Sequence, residues 1–246
     1  MIRNWPSHLW HDHSPEAISE RLSVRDKSRF IRDLVYGAID GSVTTFSIVA
    51  GVSGAELSDA VILILGFSNV LSDGFSMAAG NYLGTKAEQE ERILLKNYED
   101  EQIKLNPAGE VEEIRQIFKA KGFEGDLLNE SVLKVTQNRD EWIRLMLSEE
   151  YGLPIHEKSP LKAGGVTFMA FLIFGLVPLI PYAVGLQHDF FISVVLTGFS
   201  FFSLGALKSK WSLESAWVSG CKTFIIGSGA ASLAYFVGVN LKDLVH

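Results

Sequence analysis

The 246-residue chain has a single cysteine, Cys221, so it cannot form an intramolecular disulfide, and thiols give little indication of its compartment. Its first 30 residues contain no apolar run, which argues against a cleavable secretory leader. The first apolar stretch is then expected to serve as both targeting signal and first membrane span. Basic residues are outnumbered, with 22 Lys and Arg against 29 Asp and Glu and a formal charge of −7. A nucleic-acid partner is excluded on that balance, because phosphates need lysine and arginine.

What the chain does have is apolar sequence in long blocks. Its mean hydropathy is +0.18 although 21% of its residues are charged, so the two kinds of residue are segregated. Five blocks are long enough to cross a bilayer, which takes about 20 helical residues: residues 34–54, 59–83, 163–184, 190–207 and 216–239. The expected fold is an all-α membrane protein with five transmembrane helices. A charged helical insert, residues 84–162, separates the second and third spans. The domain reading is an N-terminal segment (1–33), a first hairpin (34–83), the insert (84–162) and a three-span remainder (163–246). The insert holds 17 acidic and 12 basic residues, a charge of about −5, so most of the acidity is local.

Loop charge sets orientation, since lysine and arginine stay on the cytoplasmic side. Arg21, Arg25, Lys27, Arg29 and Arg32 precede the first span, and the link at 52–59 has no basic residue. The insert is rich in both basic types, the link at 185–189 has none, and Lys208 and Lys210 follow the fourth span. The N-terminus and insert are therefore expected to be cytoplasmic and the C-terminus outside. The protein is expected to be multi-pass, in a bacterial inner membrane or an organelle membrane.

The hairpin carries acids where hydrocarbon should be, Asp40 in the first half and Asp73 in the second. An ionised side chain near the bilayer centre costs at least ~3 kcal/mol, so it is retained with a partner or a task. Gly37, Asp40, Gly41, Thr44 and Ser47 recur at helical spacing, as do Asn69, Asp73, Met77 and Gly80/Asn81. Facing each other, the two stripes would line up Asp40, Asn69, Asp73 and Met77. Carboxylate and amide oxygens suit divalent cations, and a thioether adds preference for softer transition metals. The competing reading has both acids bonding backbone groups or hydroxyls in a packed bundle.

In the insert, one helix is expected to continue the second span to about Lys104, because neither Gly nor Pro interrupts it before Asn106-Pro107. A second runs from about Glu110 to Lys121, with Gly122 closing it. A third region, 126–151, splits near Asn138 and ends at Gly152-Leu-Pro154. Acids with ligand-like spacing recur: Glu99 with Gln102, Glu110 with Glu113, and Met146 with Glu149 and Glu150. Taken singly, each reads more readily as a solvated surface acid. At the N-terminus, Ser14-Pro15-Glu16 reads as a helix start. His8, His11 and His13 suggest a metal-binding tail, but a solvated terminus is preferred because no other ligand clusters nearby. Pro178 and Pro181 in GLVPLIPY should break the third span. Gly227, Ala231, Ala234 and Gly238 give the fifth a face for helix contact or dimerisation.

The motifs DLVYGAIDG, DGFSMAAGNYLGTKAE and GLVPLIPY, with an acidic insert between the second and third spans, resemble the vacuolar iron transporter family. The resemblance covers essentially everything after Asp33. It implies homodimers of five-helix protomers that move ferrous ion, and in some cases other divalent metals, out of the cytoplasm in exchange for protons. The ion path would run between the first two helices of the two protomers. By the same resemblance, Asp40 and Met77 match membrane metal positions, and Glu99, Glu110, Glu113, Met146 and Glu150 match insert ligands. Two positions depart from the pattern. Asn69 stands where plant-type members have Glu, with Asp73 one turn on, and Gln102 replaces a ligand Glu, with Glu101 adjacent.

The reading is thus a divalent-metal/proton antiporter and not an enzyme. It has no tightly bound cofactor, and Fe²⁺ is its cargo, with Mn²⁺, Co²⁺ and Zn²⁺ as further candidates. Its partners are metal ions, protons, the bilayer and a second copy of the chain. A membrane-tethered ferroxidase is disfavoured because Glu110-x-x-Glu113 has no His partner and His156 is the insert's only histidine. A metal-sensing scaffold would explain the insert but leave Asp40 and Asp73 without a role.

Overall fold

The computed structural model describes residues 12–23, 30–154 and 157–245, and these are almost wholly helical. Ten α-helices follow in order: α1 (Pro15–Ser23), α2 (Ile31–Gly54), α3 (Asp59–Leu105), α4 (Pro107–Ala120), α5 (Gly125–Thr136), α6 (Arg139–Glu149), α7 (Pro160–Leu176), α8 (Ile180–Val184), α9 (Asp189–Lys208) and α10 (Ala216–Val245). The α1 start is as expected, with the Ala17 amide donating to Ser14 Oγ at 3.4 Å. His8, His11 and His156 lie outside the described residues.

Five helical segments are long and apolar enough to cross a membrane: Ile31–Gly54, Asp59–Leu105, Pro160–Val184, Asp189–Trp211 and Ala216–Lys242. The chain is an all-α membrane protein. Its contacts divide it into two units. Of the described residues, one comprises those up to Leu83 together with those from Pro160 onward; the other comprises those within Gly84–Ser159. The 47-residue α3 belongs to both, since no proline or helix-ending glycine interrupts it before Asn106.

In the first unit, α2 is central and packs on α7, α10 and α9. Its closeness to α7 depends on two glycines. A Cβ on Gly37 would sit 2.5 Å from the Thr167 carbonyl oxygen, and one on Gly41 would sit 2.5 Å from that of Phe171. Each four-residue step along α2 matches a four-residue step along α7, so the two helices run parallel. Contact this close gathers many dispersion contacts between helices whose lipid-facing sides gain nothing from burial. On α10, Gly238 lies against the Gly51 carbonyl, Gly227 takes the Phe201 ring, and Ala231 is buried. The small-residue face of the fifth span is thus spent on contact within the protomer.

At Pro178 the third span changes to a short 3₁₀ turn, Val177–Leu179, before α8 resumes. The ring removes the amide that would have bonded the Phe174 carbonyl, which instead accepts the Ser42 hydroxyl at 3.3 Å; the Pro178 carbonyl accepts the Ser193 hydroxyl at 2.8 Å. Phe46, Val49, Ile62, Val70, Leu179 and Tyr182 form the unit's main apolar cluster.

In the second unit, Asn106 caps α4, its side chain accepting from the Gly109 amide at 3.2 Å with Pro107 at the first helical position. Gly122 follows α4 at φ +88°, and Asn138 caps α6 by accepting from the Glu141 amide. These positions end the helices where the sequence places breaks. Ile103, Ile114, Val132, Trp142, Ile143, Met146 and Leu147 make a separate apolar core. Arg139 holds α6 to α3 through Asp100, donating to its carboxylate and to its carbonyl, each at 2.5 Å.

Candidate metal path and carboxylate centre

Within the first unit, α2 and the early part of α3 meet along a polar seam. The Asn81 amide donates to Asp33 Oδ1 at 3.0 Å, and the Asn69 amide reaches Thr44 Oγ1 at 3.5 Å. Between these two contacts Asp40 stands close enough to Asp73 for the two carboxylates to repel. Met77 lies half-buried one turn from Asp73, toward Asn81. Asp40, Asn69 and Asp73 therefore border one seam, and helical spacing puts Met77 on the same face of α3. The α2 stripe itself divides, however. Gly37 and Gly41 turn to α7, while Asp40 and Thr44 serve the seam.

Asp40 also borders an open groove of about 730 Å³, with Arg32, Tyr36, Lys208 and Trp211 among its walls. Among the described residues, neither Asp40 nor Asp73 has a basic side chain in ion-pair contact. The Asp40 backbone carbonyl accepts the Thr44 hydroxyl at 2.9 Å. The two carboxylates are thus not used up by packing. Two acids, an amide and a thioether along the seam are donor types that suit a divalent cation.

The second unit holds another cluster. Glu99 on α3 and Glu110 on α4 are 2% and 5% exposed, so the expectation of solvated surface acids fails for both. The reason is helical spacing. Ile103, Ile114 and Met146 each lie one turn from an acid (Glu99, Glu110 and Glu150), and all three pack in the unit's core. The acids are drawn to one end of that core. Met146 itself is fully buried within it.

Glu113 and Glu150 are exposed yet within electrostatic range of Glu99. Burial, then the charges of Glu113, Glu99 and Glu150, push the Glu110 carboxyl up to about 7. Burial and neighbouring glutamates also raise Glu113 and Glu150. The Oε2 atoms of Glu99 and Glu110 are buried with no donor from any other described residue, the two carboxyls hydrogen-bonding each other when Glu110 is protonated; a cation would relieve that burial. Even so, among the described residues no three His, Cys, Asp or Glu side chains are already closed into a cation cage. The four carboxylates crowd together without forming a finished coordination shell.

The remaining sequence candidates separate here. Glu149 is held by Lys121 at 2.6 Å, which leaves Glu150 for the cluster. Glu101 is exposed and paired with Lys104 at 2.8 Å, so it does not replace an inward acid at Gln102. Gln102 is half-buried, one turn along α3 from Glu99. Sequence reasoning missed Tyr151, whose hydroxyl donates to Glu99 Oε1 at 2.7 Å. Its only signal was adjacency to Glu150. It also missed Asn81 as a lock, because the amide finds its partners on α2 and α7, far away in sequence.

The sequence profile of the VIT family matches residues 31–239 of the chain. Among characterised proteins, a vacuolar iron transporter of Toxoplasma gondii is 32% identical over 230 residues, covering 89% of this chain and 76% of its own. Vacuolar iron transporter 1 of Tulipa gesneriana is 30% identical, over 87% of this chain and 88% of its own. That of Arabidopsis thaliana is 29% identical, over 83% of each. The matched span takes in α2 to α10 and both acid clusters; the chain belongs to the VIT family.

Proposed function

We propose that the protein exports Fe²⁺ from the cytoplasm in exchange for protons, along the α2–α3 seam. The observation that carries this reading is the apposition of Asp40 and Asp73 within the membrane hairpin, with no basic side chain in contact among the described residues. Two like charges at membrane depth are costly unless something positive comes and goes between them. A divalent cation and protons are the alternatives, and each displaces the other because both need the same oxygens. The names of the relatives favour iron as the cargo.

In this mechanism the N-terminus and insert face the cytoplasm. Glu99, Glu110, Glu113 and Glu150 gather the metal, with Gln102 and Met146 as neighbouring donors. It then passes to Met77 and Asp40, with Asn69 and Asp73 completing the seam. Asp40 and Asp73 alternate between metal-bound and protonated states, which couples outward metal to inward protons. A second copy of the chain supplies the other wall of the path. Oxygen and thioether donors also admit Mn²⁺, Co²⁺ and Zn²⁺ as cargo.

Reconstituted proteoliposomes provide the test. Fe²⁺ uptake should need an opposing proton gradient, vanish in Asp40→Ala and fall steeply in Met77→Ala. Uptake of wild-type rate by Asp40→Ala overturns the mechanism.

A further inference from the structure

We propose that Tyr151 is a specificity-determining residue of the insert's carboxylate cluster, holding Glu99 to one-oxygen coordination and so disfavouring Ca²⁺. The proposal rests on the reading of that cluster as a cation site. Glu99 has two oxygens in different circumstances. Oε1 accepts the Tyr151 hydroxyl at 2.7 Å, while Oε2 is buried with no donor from any described residue other than Glu110. The carboxylate is near Glu110, Glu113 and Glu150, so it belongs to the cluster. A cation entering there meets one Glu99 oxygen that Tyr151 does not engage, and taking the second means competing with the tyrosine for Oε1.

The tyrosine is not free to step aside. It follows Glu150, whose amide donates to the Met146 carbonyl at 2.9 Å, and it precedes Gly152, where φ is +67°. Two residues on, the Leu153 amide donates to the Leu147 carbonyl at 3.0 Å. The backbone on either side is thus anchored to the end of α6, and the ring itself packs against the unit's apolar core. One short stretch supplies both a cluster acid, Glu150, and the group that restrains Glu99.

Coordination chemistry turns this restraint into selectivity. Ca²⁺ collects six to eight oxygens and commonly takes both oxygens of a carboxylate. First-row transition ions bind well with fewer donors at shorter distances and accept a single carboxylate oxygen. Occupying Oε1 weakens a donor that calcium needs more than manganese does. Outer-shell partners of this kind typically change metal affinity by ten- to a hundredfold.

The experiment titrates the full-length protein in detergent with Mn²⁺ and with Ca²⁺ by calorimetry. Wild type, Tyr151→Phe and Glu110→Gln are compared, and the part of the binding lost in Glu110→Gln is assigned to the cluster. Phenylalanine keeps the ring and removes only the hydroxyl. The Mn²⁺-over-Ca²⁺ preference should narrow about tenfold in Tyr151→Phe, mainly through tighter Ca²⁺. Parallel weakening of both ions means a merely structural tyrosine and overturns the proposal, as does an unchanged ratio. If Glu110→Gln binds both ions as wild type does, the cluster is not the cation site and the reading beneath the proposal fails with it.

Discussion

Asn81 on α3 donates to Asp33 on α2 at 3.0 Å, and that bond sets the register of the seam. With the two helices antiparallel, 33 opposite 81 brings 40 to within one residue of 73 and 44 to within one residue of 69, the pairs the structure contains. The same amide also reaches Thr167 Oγ1 at 2.7 Å and the Ala163 carbonyl at 3.2 Å, so it ties α7 to both helices. Asn81→Leu should lower the thermal midpoint in detergent by several degrees, since losing buried hydrogen bonds costs about 1–3 kcal/mol. A midpoint equal to wild type would show that register is set elsewhere.

Asp73 allows stability and activity to be pulled apart. At a pH where both acids of the metal-free protein are ionised, Asp73 and Asp40 repel, and like charges near each other in a protein interact by on the order of 1 kcal/mol or more. Asp73→Asn keeps the shape and removes the repulsion. Metal-free protein should therefore melt at a higher temperature while Fe²⁺ transport falls at least tenfold. A mutant that melts lower and transports normally would make Asp73 a structural residue outside the path.

The insert should become more stable as the solution is acidified from neutrality. Glu110 has a folded pKa of about 7 against an ordinary value near 4.5, so between those values the folded state holds a proton that the unfolded state has released. Stability then falls as pH rises through that window, the opposite of a salt-bridged carboxylate. Hydrogen exchange of residues 84–154 in metal-free protein should be slower at pH 5 than at pH 7.5, after correction for intrinsic rates. Glu110→Gln should flatten the difference. Faster corrected exchange at pH 5 would contradict the burial of this acid.

The architecture was legible because its signals are local. Apolar block length gave the five spans, the lack of a break before Asn106 gave the long α3, and Asn138, Gly122 and the two prolines marked ends. The seam was legible too, since helical spacing puts Asp73 and Met77 on one face without knowledge of the partner. What escaped depends on long-range contact. Spacing alone could not say that Glu99 and Glu110 are buried, because it is their isoleucine neighbours that draw them in. Nor could it separate Glu149 from Glu150, a distinction made by Lys121, 28 residues earlier. Gly37 and Gly41 were recognised as a contact face, but that the contact is α7 became clear only from the packing.

That contact gives a final prediction. In Gly41→Ala the new methyl group would lie 2.5 Å from the Phe171 carbonyl oxygen and 3.0 Å from its Cα, both backbone atoms that no rotamer change can move. The helices must separate, and overpacking of this kind costs typically ~1–3 kcal/mol. Gly41 directly follows Asp40, so a shift of α2 away from α7 also displaces the seam carboxylate. Gly41→Ala should therefore lose thermal stability and transport together, although it touches no proposed ligand. By contrast, Gly80→Ala on α3 meets no atom within 4 Å in the protomer. Its added methyl should leave the melting temperature unchanged or slightly raised, since alanine favours helix over glycine by about 1 kcal/mol. Comparable losses in both variants would mean that glycine is needed for helix flexibility, and that close packing on α7 is not the cause.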